Sequence, residues 1–289
     1  MTHKTQEMTI VNTVDELKSR VAEAIAAGQT IGLVPTMGAL HEGHLSLVQR
    51  ACSECDFVVV SIFVNPTQFN NPEDLRTYPR TLSADVALLS GSTDADIVFA
   101  PTAEEIYPTP DTRQFDLTGV GEVMEGKQRP GHFNGVCQIV SKLFAYVSPT
   151  RAYFGEKDFQ QIAVIKKMVH DLDFKLQIVD CPIVRHADGL AVSSRNALLT
   201  PEHRAAAPHI HAVLQASIDW MKNLSPDEVT ARVVKEIDDN KLLKVEYYEI
   251  VDGLSLRHLS SWDETSYAVG CVTVQAGNVR LIDNIIYKK

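Results

Sequence analysis

A chain of 289 residues, 45% hydrophobic and 22% charged, has the composition of an ordinary folded protein and room for one large domain or two moderate ones. Its 27 basic residues against 37 acidic ones give a formal charge of -10, which argues against a general electrostatic grip on nucleic acid or an anionic membrane. An anionic ligand therefore needs a local cluster of cations and backbone donors. No run approaches the roughly 18 apolar residues of a membrane span, the opening MTHKTQEMTIVNT lacks the apolar segment of a secretory signal, and five scattered cysteines suit free thiols. A cytoplasmic location is expected.

From residue 30 onward, short β-branched runs alternate with amphipathic stretches: TIGLV, HLSLVQRACSEC, DFVVVSIFVN, a helical region containing DLRTYPRTLSADVALLS, then DIVFAP. Strand, helix, strand is the rhythm of a parallel sheet with crossover helices, and runs such as DFVVVSIF are apolar without alternation, as central parallel strands are. GVCQIVSKLFAYV predicts a helix, RAYFGEKD a strand entering a loop, QQIAVIKKMVHDLDF a helix and KLQIVDCPIV a strand. Beyond GLAVSSRNALLT the pattern changes. Two helical stretches, TPEHRAAAPHIHAVLQASIDWMKN and SPDEVTARVVKEIDD, precede strand-like KVEYYEIVDG, SYAVGCVTVQAG and NVRLIDNIIYK. The expected architecture is a doubly wound parallel α/β domain over residues 1–182 and a smaller α+β domain over 183–289.

In open α/β sheets ligands sit beyond the carboxyl ends of the strands, and helix N-terminal amides make the first strand-to-helix turn a favoured phosphate position. The stretch TIGLVPTMGALHEGH places His41 and His44 there, with Gly38 and Gly43 permitting close backbone approach. A zincin needs His-Glu-x-x-His, two imidazoles four apart on one helical face. Here the second histidine comes one residue early and no third ligand of obvious spacing follows, so no protein metal site is expected. The other reading aims both imidazoles at the phosphates of a nucleotide, where they donate hydrogen bonds and stabilise developing charge.

Four further stretches supply candidate contacts. SIFVNPTQFNNPEDL puts the amides of Asn65 and Gln68 at a strand end, suited to a small polar substrate, although Asn-Pro sequences also start ordinary turns. FGEKDFQQ offers Gly155 for an unusual backbone, Lys157 for phosphate oxygens, Asp158 for a helix cap or a ribose, and Gln161 one helical turn beyond Lys157. DGLAVSSRN packs Ser193, Ser194 and Arg195 into a compact donor cluster. GKQRPGHFNGV, residues 126–136, reads as a basic, glycine-punctuated loop able to close over the site, with Lys127, Arg129 and His132 as candidates. Cys52 and Cys55 form a CxxC on a predicted helix, for which core packing is the simpler role.

The HEGH tetrapeptide resembles the HxGH signature of the nucleotidyltransferase superfamily. Taken in order, PTMGALHEGH, SIFVNPTQF, RPGHFNGV, YFGEKDFQQ and GLAVSSRN resemble the pantoate–β-alanine ligase family across most of residues 30–196. The resemblance implies a Rossmann-like domain followed by a smaller C-terminal domain, a homodimer, and an ATP-dependent condensation of pantoate with β-alanine that releases AMP and pyrophosphate, with magnesium carried on the ATP. It further implies that Met37, Gly38, Ala39, Leu40, His41, Glu42, Gly43 and His44 line the ATP site, with His44 as the acid. Gly155, Glu156, Lys157, Asp158, Val184, Val192, Ser193, Ser194 and Arg195 would also contact ATP, while Gln68 and Gln161 hold pantoate, with Gln68 also near β-alanine, and Asn65 sits by the phosphate and pantoate. Thr67 and Phe159 depart from the family's usual residues without touching an assigned role. Two rivals keep part of this pattern: a nucleotidyltransferase that retains AMP in its product, and a catalytically silent ATP-binding module.

Overall fold

The computed structural model describes residues 8–289. They divide into two compact units: residues up to 118, 128–155 and 164–181 belong to the first, and residues 119–127, 156–163 and 182–289 to the second. The last crossing lies one residue from the expected 182/183 boundary. Two short segments of the earlier range nevertheless pack with the second unit.

The first unit is built on six parallel strands, in chain order β1 (Thr9–Val11), β2 (Ile31–Thr36), β3 (Phe57–Ile62), β4 (Ile97–Phe99), β5 (Arg151–Gly155) and β6 (Gln177–Cys181), arranged β1-β4-β3-β2-β5-β6. Along the chain, helices α1 (Val14–Ala26), α2 (Glu42–Glu54), α3 (Pro72–Thr77), α4 (Leu82–Ser92), α5 (Ala103–Ile106), α6 (Met124–Gln128), α7 (His132–Val147) and α8 (Phe159–Asp171) fill the intervals. The central strands are apolar because both faces are covered: Val34, Val58, Val60, Val98 and Tyr153 are almost completely buried with Val48 and Ala51 of α2. From β2 the chain passes to β3 and β4 on one side, then returns to lay β5 on the other. The strand order therefore reverses between β2 and β5, the topological position at which such sheets open a crevice for ligands.

The second unit carries α9 (Pro201–Ala206), α10 (Pro208–Trp220) and α11 (Pro226–Asp238) beside an antiparallel sheet of β7 (Leu243–Asp252), β8 (Ala268–Ala276) and β9 (Val279–Lys288), in that order. Leu214, Val229, Val233 and Ile237 pack against Ile250, Val272 and Val274. The fold class is the expected one, a doubly wound parallel sheet followed by a small α+β unit.

Several elements differ in detail. DLRTYPRTLSADVALLS forms two helices, because Pro79 lacks an amide hydrogen and disfavours helix at Tyr78. Pro208 separates α9 from α10 because it lacks an amide hydrogen, although Ala207 before it keeps a helical backbone, φ -56° and ψ -34°. The segment 126–136 is not a continuous loop: Met124–Gln128 is helical, Gly131 turns the chain at φ +84°, and α7 starts at His132. All five cysteines are free thiols, four of them buried. Among the described residues, no helix is long and apolar enough to cross a membrane.

Candidate active site

The turn after β2 is held by groups distant in sequence. Thr36 leaves the sheet with its hydroxyl donating to the Ser61 carbonyl at 2.7 Å and accepting the Gly38 N–H at 3.2 Å. Gly38 and Ala39 then adopt positive φ, +82° and +50°. For Ala39 this is an uncommon conformation, and it persists because the Asp85 carboxylate accepts the Ala39 and Leu40 amides at 3.0 and 2.8 Å. Asp85 is 3% exposed and also takes the Thr81 hydroxyl, so a buried carboxylate is well supplied with hydrogen bonds.

This clamp delivers His41 to the N-cap position of α2 and His44 to its first turn. Their rings stack with centroids 4.1 Å apart and planes inclined by 28°. Thirteen residues of helix stand behind them, so the amides of the first turn and the positive end of the helix dipole share that location with the two imidazoles. The arrangement suits an anion whose charge grows during reaction.

Asn65 and Gln68 meet at the end of β3, and both are buried. The Asn65 Nδ2 donates to Gln68 Oε1 and to the Gly135 carbonyl, each at 3.0 Å, while its Oδ1 accepts the Tyr107 hydroxyl at 2.8 Å. These contacts fix which way the Gln68 amide points, and its Nε2 faces the Met37 sulfur at 3.1 Å. Helix α7 comes so close that a Cβ on Gly135 would stand 2.6 Å from Gln68 Cα, which only glycine permits. His132, expected in a closing loop, is 7% exposed, with its Nδ1 2.8 Å from the Gln68 carbonyl oxygen. Its role is to brace the Gln68 turn. Lys127 is exposed on α6, and Arg129 lies 3.2 Å from the His132 Nε2.

In the second unit, Lys157, Ser193 and Arg195 line one narrow pocket of about 20 Å³ together with Asn196, His211 and Arg280. Glu156, Lys157 and Asp158 form a single 3-10 turn after Gly155, and Gln161 follows in the first turn of α8. Val184 and Val192 are joined by the Val192 N–H bond to the Val184 carbonyl at 2.9 Å, which folds the intervening residues into a tight loop. Ser193 caps the turn Ser194–Leu198 by accepting the Arg195 N–H at 3.3 Å. The donor cluster read from DGLAVSSRN is therefore one structured corner.

Sequence reasoning assigned no role to Asp85, Tyr107, Gln160 or Glu125. Gln160 donates to the carbonyls of Val120 and Val123 and accepts the Glu125 N–H, fastening the segment 119–127. Glu125 takes a bidentate bond from Arg280 at 2.6 and 2.7 Å and hydroxyls from Tyr247 and Thr273. Burial pushes its carboxyl up, but Arg280 and the two hydroxyls outweigh that and hold it at about 2. Nothing in the spacing of a lone acidic or amide residue marks such a partner in advance.

A doubly wound sheet that brings two histidines to a helix N-terminus beside its switch point has the layout of a ligand-binding α/β protein. The family model described as pantoate-beta-alanine ligase matches residues 9–286, and the chain belongs to that family. Pantothenate synthetase of Porphyromonas gingivalis is 58% identical over 281 residues, covering 97% of this chain and 100% of the relative. That of Bacteroides thetaiotaomicron is 54% identical over 282 residues, with 98% and 100% covered. Among solved structures, pantothenate synthetase of Thermus thermophilus superposes with a TM-score of 0.90 at 42% identity, covering 98% of this chain and 100% of that one. Pantoate-beta-alanine ligase of Francisella tularensis, solved with beta-gamma ATP and beta-alanine, gives 0.80 at 38% identity, with 97% and 98% covered. The enzyme class is that of a pantoate–β-alanine ligase, condensing pantoate with β-alanine at the expense of ATP.

Proposed function

We propose that the reaction runs as an acyl activation on the residues described above. The observation that carries this reading is the stacked His41–His44 pair at the N-terminus of α2, at the switch point of the sheet. A pantoate carboxylate oxygen attacks the α-phosphorus of ATP, the bond from that phosphorus to the bridging oxygen breaks, and pyrophosphate leaves. His44 stabilises the charge that spreads over the phosphates, with His41 beside it and the residues Met37 to His44 lining the nucleotide. Lys157, Ser193 and Arg195 contribute cations and donors from their shared pocket, and Gly155, Glu156, Asp158, Val184, Val192 and Ser194 complete the ATP contacts. Magnesium carried by the triphosphate supplies further charge neutralisation.

Gln68 and Gln161 hold pantoate, with Asn65 orienting Gln68. The β-alanine amine then attacks the acyl carbon of pantoyl adenylate, AMP leaves, and the nitrogen sheds a proton, so no covalent enzyme intermediate forms. A homodimer completes the reading, which rests there on the family resemblance.

Exchange of labelled pyrophosphate into ATP tests the two-step scheme. Exchange that requires pantoate and proceeds without β-alanine is expected. A retained-AMP nucleotidyltransferase would exchange with another acceptor and ignore pantoate, and a silent ATP-binding module would not exchange at all.

A further inference from the structure

Asp283 and Asn284 are neighbours on β9, one of the two edge strands of the antiparallel sheet, and are 7% and 5% exposed. Successive residues of a strand point to opposite faces, so each serves a different segment. Asp283 takes a bidentate bond from Arg185, Nη1 to Oδ2 at 2.6 Å and Nη2 to Oδ1 at 2.8 Å. The same guanidinium donates from Nη1 to the Gly189 carbonyl at 3.1 Å, tying the base of the 184–192 loop to its tip. That loop runs directly into Ser193 and Arg195. Asn284 donates from Nδ2 to the carbonyls of Glu156 and Lys157, at 2.7 and 3.2 Å, and so fixes the turn that presents Lys157. Its own N–H donates to Asp283 Oδ1 at 2.8 Å, which joins the two anchors.

We propose that Asp283 and Asn284 are positioning residues for the phosphate-binding corner, setting Lys157 against Ser193 and Arg195 on one pocket wall. The inference rests on the reading of those three residues as ATP contacts. Neither strand residue lies in a stretch that the sequence signature covers; Asp283 borders the same pocket as Lys157, Ser193 and Arg195, with its carboxylate engaged by Arg185, while Asn284 does not line it. They act through a rigid strand, which holds a site more accurately than two loops can hold themselves.

The test is steady-state kinetics on Asn284→Asp, which keeps the shape but replaces the donor with an acceptor facing two carbonyl oxygens, and on Asp283→Asn, which removes the charge facing Arg185. Lys157→Ala and Arg195→Ala are run beside them. The expected result is a rise in KM for ATP and a loss of roughly 10- to 100-fold in kcat/KM for ATP, the scale of a misplaced contact group. KM for β-alanine should remain within about 2-fold of wild type. A purely structural role would lower the active fraction, scaling kcat while leaving KM for ATP unchanged, and that result overturns the proposal. Wild-type behaviour of Lys157→Ala and Arg195→Ala would overturn the ATP reading itself and the proposal with it. If either strand variant fails to fold, Arg185→Lys, which keeps the charge and loses the bidentate fork, is expected to show the same shift in KM for ATP. An unchanged KM for ATP in that variant overturns the proposal.

Discussion

The Asp85 carboxylate holds the backbone of Leu40: one oxygen accepts the Leu40 N–H at 2.8 Å, and the other accepts the Ala39 N–H at 3.0 Å. A residue on α4 thus sets the conformation of the turn that precedes His41 and His44. Asp85→Ala leaves two amides of a half-buried turn without their acceptor, which costs roughly 1–3 kcal/mol. It should also lower kcat/KM for ATP by roughly 100-fold by displacing the histidines. Urea unfolding and steady-state kinetics check the two parts separately, and wild-type kinetics in a destabilised variant would remove the turn from the account.

His44→Ala removes a group whose proposed work lies in the transition state. Turnover should fall by roughly 10²- to 10³-fold, as when one donor to a developing charge is lost. The Kd for ATP, measured by calorimetry, should change far less. Equal losses in both would assign His44 to ground-state binding.

Gly135→Ala places a methyl group against the Thr67 carbonyl and Gln68 Cα, so either the 66–68 turn or α7 must shift. Overpacking of this kind costs about 1–3 kcal/mol. Because the Gln68 amide moves with the turn, KM for pantoate should rise roughly 10-fold while KM for ATP stays near wild type. A shift confined to ATP would place Gln68 elsewhere in the reaction.

The Glu125–Arg280 pair predicts an acid dependence of stability. A carboxyl held at about 2 in the folded chain has an ordinary value of 4.5 when unfolded, so its contribution is complete above pH 4.5 and is lost as pH falls from there towards 2. The difference corresponds to roughly 3 kcal/mol. Glu125→Gln should flatten the decline in stability across that window by up to one proton, read from urea midpoints against pH. An unchanged slope would mean that the pair does not couple to folding.

Much of this was legible from residue patterns, for reasons that also explain the rest. The apolar runs of β2, β3 and β4 predict a parallel sheet because both faces of such strands must be buried. His41, Asn65 and Lys157 stand out because their segments follow strand ends, where an open α/β sheet places ligands, and Arg195 because it sits with two hydroxyls in a compact donor cluster. β1 and α1 received no assignment: three strand residues are too few to show a period, although Thr13 with Asp15 and Glu16 is a helix-start signal that was there to be read. The segment 126–136 looked like a loop because of its glycines. Instead, Gly131 provides the left-handed turn before α7, and Gly135 makes room for the 66–68 turn. Asp85, Tyr107, Asp283 and Asn284 act through partners far away in the chain, which no local spacing encodes.

The most direct measurement incubates the purified protein with Mg-ATP and pantoate, with and without β-alanine, and follows pyrophosphate, AMP and pantothenate together. AMP and pantothenate should appear in equal amounts, and only when β-alanine is present. Pyrophosphate formed with no free AMP, on an acceptor other than pantoate, would contradict the account.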